Sequence, residues 1–161
     1  MPLSSRESAT KTDETLDKFE KHCGLGEFKL HQMVENEAQR LLNLGPEELK
    51  RLSATECSEG AFILESFSIH LQRAINREKA RATWSDARIT RLISSFVHEM
   101  PAYTPSERRN MAIRSNDAAK ETEAIRVSAQ VKCERLEYLP ARVSSLAKYL
   151  DNISHAKRVR Q

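Results

Sequence analysis

Between Ser53 and Glu99 the chain has no proline and a single glycine, Gly60. So long a stretch without a breaker predicts one continuous helix, starting near Ser53 or Thr55 and ending at about residue 99. Along it Ala61, Leu64, Ser68, Leu71, Ile75, Glu78, Ala82, Ser85, Ile89, Leu92 and Phe96 keep a seven-residue repeat. The repeat turns polar in its middle, which makes the apolar seam weakest there.

Met100-Pro101-Ala102-Tyr103 breaks the pattern, and Thr104-Pro105-Ser106-Glu107 restarts it with Thr at the N-cap, Pro at the first helical position and Glu three residues after the cap. A second heptad array follows, from Met111 through Ser115, Ala118, Thr122, Ile125, Ala129, Lys132, Leu136, Leu139, Val143, Leu146 and Leu150 to Ile153. Pro140 falls inside this array and predicts a kink, with the helix resuming beyond it, or a full break. The fold class expected is therefore all-α: a long antiparallel helical hairpin over 53–161, with helices at about 54–99 and 105–157, behind short N-terminal helices. A small N-terminal segment is too short to cover the seam of so long a hairpin, so the chain is expected to be oligomeric. Leu136, Leu139, Val143, Leu146, Leu150 and Ile153 are the candidate oligomerisation residues.

The N-terminal third is less regular. Residues 1–27 read as mobile or marginally helical: a tail from Met1 to Lys11, then a helix capped by Thr12 or Asp13 that carries Leu16, Phe19 and Cys23 and stops at Gly24 and Gly26. Residues 28–52 read as short amphipathic helices, the first with Leu30, Met33, Val34, Ala38, Leu41 and Leu42 at spacings of three and four. Gly45 stands where a left-handed cap belongs, and Pro46 opens a further turn anchored by Leu49 and Leu52.

Composition narrows the function. With 26 basic and 23 acidic side chains the net charge is +3, so binding to a polyanion must come from a local patch. No run of about 18 apolar residues is present and Met1 to Arg6 lack the apolar core of a signal peptide, which leads to the expectation of no membrane contact and a cytoplasmic protein. Cys23, Cys57 and Cys133 are isolated thiols without metal-ligand spacing, and His22, His31, His70, His98 and His155 form no HxxxH or HExxH pair. Without a Walker, GxGxxG or GxSxG sequence either, the reading is of a protein that is not an enzyme and uses no cofactor or metal.

The local patch is found inside the long helix. Arg73, Arg77, Arg81, Trp84, Arg88 and Arg91 step by four, four, three, four and three, so five guanidinium groups and the only tryptophan share one helix face. Like charges at these spacings repel, which calls for an anionic partner. The nearby Glu78 and Asp86 are too few to neutralise the stripe together with Lys79. Trp84 is a platform for an unstacked base, worth about 1–3 kcal/mol per base, or equally a packing residue. Arg108 and Arg109, with Arg114, follow the turn and are expected near Arg88 and Arg91. Lys157, Arg158 and Arg160 make a third basic group near the C-terminus.

Leu71-Gln72, Asn76-Arg77, Lys79-Ala80-Arg81 with Trp84, Arg108-Arg109 with Ala112-Ile113, and Leu136-Glu137-Tyr138-Leu139 before an amphipathic helix together resemble the UvsY-type recombination mediator proteins of T-even-like phages, over roughly 53–157. The resemblance implies a helical, ring-forming, non-enzymatic protein that binds single-stranded DNA, helps displace the single-strand DNA-binding protein and loads a RecA-like recombinase, in the cytoplasm of the host cell. It implies that Lys79 and Arg81 contact DNA and that the helix from about Leu136 to Ile153 mediates self-assembly. The residues 1–50 have no counterpart in it, and Pro140 departs from its assembly helix. A different class fits the same stripe: an oligomeric helical scaffold or adaptor that docks an acidic protein partner.

Overall fold

The computed structural model describes residues 5–22, 30 and 32–159, and among them all regular structure is helical. The elements are α1 (Ser5–His22), α2 (Gln32–Leu42), α3 (Pro46–Arg51), α4 (Ala54–Ile93), a 3₁₀ turn (Val97–Glu99), α5 (Pro105–Arg114), α6 (Asp117–Leu136) and α7 (Leu139–Val159). They form two compact units, Phe28–Ile75 with Leu136–Gln161 and Met1–Glu27 with Asn76–Arg135, so α4 contributes its first part to one and its second to the other. No helix among the described residues is long and apolar enough to cross a membrane.

The long helix has the expected start. Ser53 caps α4: its hydroxyl accepts from the Glu56 N–H at 3.2 Å, while the Glu56 carboxylate accepts from the Ser53 N–H at 2.7 Å. Thr104 and Glu107 make the same reciprocal pair at the start of α5, at 3.2 and 3.1 Å.

In the unit of Phe28–Ile75 and Leu136–Gln161, α2, α3, α4 and α7 enclose Ala38, Leu41, Leu49, Cys57, Leu64, Val143, Ala147 and Leu150. Gly60 permits their close approach, since a Cβ there would stand 3.1 Å from Leu150 Cδ1 and 3.2 Å from Leu41 Cδ1. Two hydroxyls tie α7 to α4: Ser68 donates to the Pro140 carbonyl at 2.9 Å and Ser154 to that of Ala54 at 2.8 Å. Burial pushes the Cys57 thiol up, which keeps it protonated and unreactive. In the unit of Met1–Glu27 and Asn76–Arg135, α4, α5 and α6 close over Ile89, Ile93, Ala112, Ile113 and Ala119, with Leu92, Phe96, Val97 and Met100 at its edge.

Several expectations from sequence are corrected. The second long helix, at about 105–157, is three helices. Asn116 accepts from the Ala119 N–H at 3.0 Å and caps α6, so the Ser-Asn-Asp run is a helix start and not a heptad position. At 137–138 the chain turns, and Pro140 stands in the first turn of α7, where a missing N–H costs nothing. The full break is therefore what occurs.

Gly45 is extended, at φ −75° and ψ 163°, and is the N-cap of α3 instead of a left-handed cap of α2. α1 begins at Ser5, so Ser5–Lys11 is helix and Asp13 lies in mid-helix. The expected first helix of 28–52 is shorter, starting at Gln32, and its Met33 is 72% exposed. Phe28, Cys23, Gly24, Gly26 and the Phe19 side chain lie outside the described residues.

Four of the six residues assigned to self-assembly are engaged within the chain itself. Val143 and Leu150 are buried in the chain's own core, and Leu146 and Ile153 pack against it. Leu136 is half-buried, and of the six only Leu139 is exposed. The heptad face was legible, but the surface it meets is α4 and α2 of the same chain. Lys157 is likewise engaged, donating to the Lys50 carbonyl at 2.7 Å and to that of Leu52, where a cation satisfies the last carbonyls of α3. Arg158 is exposed, and Arg160 lies outside the described residues.

Candidate nucleic-acid interface

The second part of α4, from Asn76 on, turns Glu78, Ala82, Ser85 and Ile89 toward its neighbours. The stripe occupies the adjoining flank, about 100° round the helix per residue. It therefore borders the seam instead of facing away from it. Arg77, Arg81, Trp84 and Arg88 are half-buried, and Lys79 and Arg91 are exposed.

Two of the anions that meet this flank come from α1. Arg81 Nη2 donates to both carboxylate oxygens of Asp13 at 2.9 Å, and Arg81 Nη1 donates to Glu78 at 2.7 Å. Arg77 donates to Asp17. Asp13 and Asp17 are four residues apart, as are Arg77 and Arg81, so two one-turn spacings match and are fixed in opposite chain directions. Burial alone would pull the Arg81 guanidinium down, and it is the largest single influence. The hydrogen bond to Asp13 and the charges of Glu78 and Asp13 outweigh it and hold Arg81 above its ordinary value. Glu78 also accepts from Lys132 of α6 at 3.3 Å.

Beside this cluster an open cleft of about 650 Å³ is lined by Thr10 and Asp13 of α1, Glu78 and Arg81 of α4, and Glu121 and Ile125 of α6. Of the described side chains of α1 only Asp13 and Leu16 are half-buried, and the others are exposed.

The remaining stripe residues divide. The Arg88 guanidinium lies 5.7 Å from the centroid of the Trp84 ring, so one π face of the indole already holds a cation, an interaction worth about 0.5–1 kcal/mol at such sites. Arg109 of α5 reaches α4, donating to Asp86 at 2.6 Å and to Thr90 at 3.2 Å. The structure thus brings one cation of the second basic group beside the stripe. Arg108 does not join it, because its guanidinium donates at 3.1 Å to the Ala102 carbonyl and braces the preceding loop. Arg114 is exposed beside Tyr103 and Met111. Arg73 belongs to the other unit, where it is half-buried.

Sequence reasoning missed Asp13 and Asp17. Their four-residue spacing repeats that of Arg77 and Arg81, and that match is the signal that was available. Among the described residues no three His, Cys, Asp or Glu side chains gather as a metal site would require. Compared with known proteins, the chain matches no family model, no curated protein and no solved structure.

Proposed function

We propose that the chain is a non-enzymatic recombination mediator of the host-cell cytoplasm that binds single-stranded DNA and helps load a RecA-like recombinase onto DNA covered by single-strand DNA-binding protein. The observation that carries this reading is the flank of α4 from Arg77 to Arg91, where guanidinium groups already grip carboxylates in matched pairs while Lys79 and Arg91 stand exposed. A flank that holds two carboxylates about 6 Å apart along a helix axis suits successive phosphates, and Trp84 sits among them. The phage mediator resemblance supplies the recombinase and the single-strand DNA-binding protein as partners.

Self-association belongs to the same proposal, as do a long antiparallel hairpin and a coiled-coil arrangement. The bonds from Ser68 to Pro140 and from Ser154 to Ala54 support opposite chain directions for α4 and α7. Phe62 and Ile69, seven residues apart on α4 and 75% and 48% exposed, are better candidates for the subunit interface than the buried face of α7. Replacing both with Glu should convert an oligomer to monomer in sedimentation, and an unchanged mass would remove them from the interface.

The test of DNA binding uses residues whose loss leaves the fold alone. In fluorescence anisotropy with a labelled oligothymidylate, Lys79→Ala with Arg91→Ala should weaken binding and lower the salt slope by about 1.4, at about 0.7 for each phosphate no longer neutralised. Unchanged affinity and slope would exclude the stripe. The second reading, an adaptor docking an acidic partner, draws on the fact that the anion found on Arg77 and Arg81 is an acidic helix. Gel shifts at about 50 and 200 mM salt separate the two, since the adaptor shifts no oligonucleotide at either.

A further inference from the structure

The pairing of α1 with the stripe has the form of a competitor. We propose that α1 is an intramolecular occupant of the nucleic-acid site, with Asp13 and Asp17 standing in for two phosphates on Arg81 and Arg77, and that a single strand displaces it on binding. The inference rests on the DNA-binding reading and adds regulation to it.

Three features support it. The occupied groups are those a polyanion would want: Arg81 holds both oxygens of Asp13, and Arg77 holds Asp17. The spacing is matched, carboxylates and guanidinium groups each recurring after four residues, so α1 presents its charges at a regular repeat as a phosphate backbone does. The described contacts are of a kind that exchanges. Side-chain exposures of 62% at Asp17 and 42% at Asp13 leave both carboxylates in reach of solvent and salt, with Arg81 the more enclosed partner, and among the described side chains of α1 the one half-buried apolar group is Leu16. The cleft lined by Thr10 and Asp13 shows that α1 does not seal against α6, so a strand has a place to enter.

Displacement has a thermodynamic signature. A ligand that must first release α1 binds with an affinity reduced by the fraction of chains in which α1 is already off. Weakening the hold on α1 therefore strengthens DNA binding, whereas weakening the stripe itself reduces it.

The experiment compares three full-length proteins by anisotropy with the same oligothymidylate at about 50 mM salt: wild type, Asp13→Asn with Asp17→Asn, and Glu59→Gln with Glu65→Gln. The last pair removes two exposed charges from the other unit and measures the effect of net charge alone. Asp13→Asn with Asp17→Asn should bind about three- to tenfold tighter than wild type, from one exposed and one part-buried ion pair, with the control pair changing much less. Hydrogen exchange of α1 amides in wild type should rise when the oligonucleotide is added. Equal tightening in both double variants, or binding that leaves α1 exchange unchanged, would overturn the inference while DNA binding stands. If neither wild type nor Asp13→Asn with Asp17→Asn retains the oligonucleotide, DNA binding itself falls and the inference falls with it.

Discussion

In the unit of Phe28–Ile75 and Leu136–Gln161 the side chains that meet between helices are Leu41, Leu64 and Leu150, each all but closed to solvent, with Ala38 and Cys57 fitted between them. In the unit of Met1–Glu27 and Asn76–Arg135, Ile89, Ile93, Ala112, Ile113 and Ala119 form a smaller apolar core, Ser85, Thr122 and Ala129 are buried as well, and α1 meets α4 through Asp13 and Asp17. The first arrangement draws on apolar burial, which is indifferent to ordinary salt. The contact of α1 with α4 in the second unit adds charge pairs near the surface, which are weak, screened by salt and exchangeable for another anion. The difference shows where a ligand site can be placed, because ion pairs open at small cost and a leucine core does not.

The largest effect expected is in the apolar unit. Leu150→Ala should cost about 2–5 kcal/mol in urea unfolding, since the side chain is fully buried between α4 and its neighbours. A loss below about 1 kcal/mol would mean that the core collapses around the cavity. Gly60→Ala comes next. Helix propensity favours Ala by about 1 kcal/mol, but the added methyl meets Leu150 and Leu41 at 3.1 and 3.2 Å, and both of these buried side chains must shift to admit it. The expected net cost is about 1 kcal/mol; a more stable variant would show that this close approach relaxes freely.

Removing the two α1 carboxylates that pair with Arg77 and Arg81, by Asp13→Asn with Asp17→Asn, should cost about 1 kcal/mol or less in the same assay. Raising salt should speed amide exchange in α1 and leave that of α2 unchanged, so parallel responses would erase the distinction between the α1 contact and the apolar core of the other unit. The smallest effect is one of pH. The hydrogen bond from Arg126 holds the Glu123 carboxyl below its usual value, against the opposing pull of burial. Its contribution is complete above the unfolded carboxyl value of about 4.3 and is lost as pH falls through the lower folded one. Arg126→Gln should therefore flatten the acid limb of stability slightly, and an unchanged limb would show that the pair is silent.

How far the sequence could be read depended on the range of the signal. The starts of α4 and α5 were legible because Ser53 with Glu56 and Thr104 with Glu107 are local chemistry. The apolar face of α7 was legible as a face but not as to its partner, because periodicity records which side is buried and not what covers it. The break at Ser115–Asn116 was obscured by a heptad register that ran through it by coincidence. The stripe was visible, and so was its need for an anion. Its occupants were not, because Asp13 and Asp17 stand about 60 residues away or more, and Asp13 taken alone reads as a helix cap.

The central claim is that a nucleic-acid strand lies on the flank of α4 that carries Trp84. Because Trp84 is the only tryptophan, its emission reports on that flank and on no other. Titrating an oligothymidylate at about 50 mM salt should change Trp84 emission saturably, in step with anisotropy, and raising salt to about 200 mM should reverse both. An oligonucleotide that binds without altering Trp84, or one that fails to bind at the lower salt, would contradict the account.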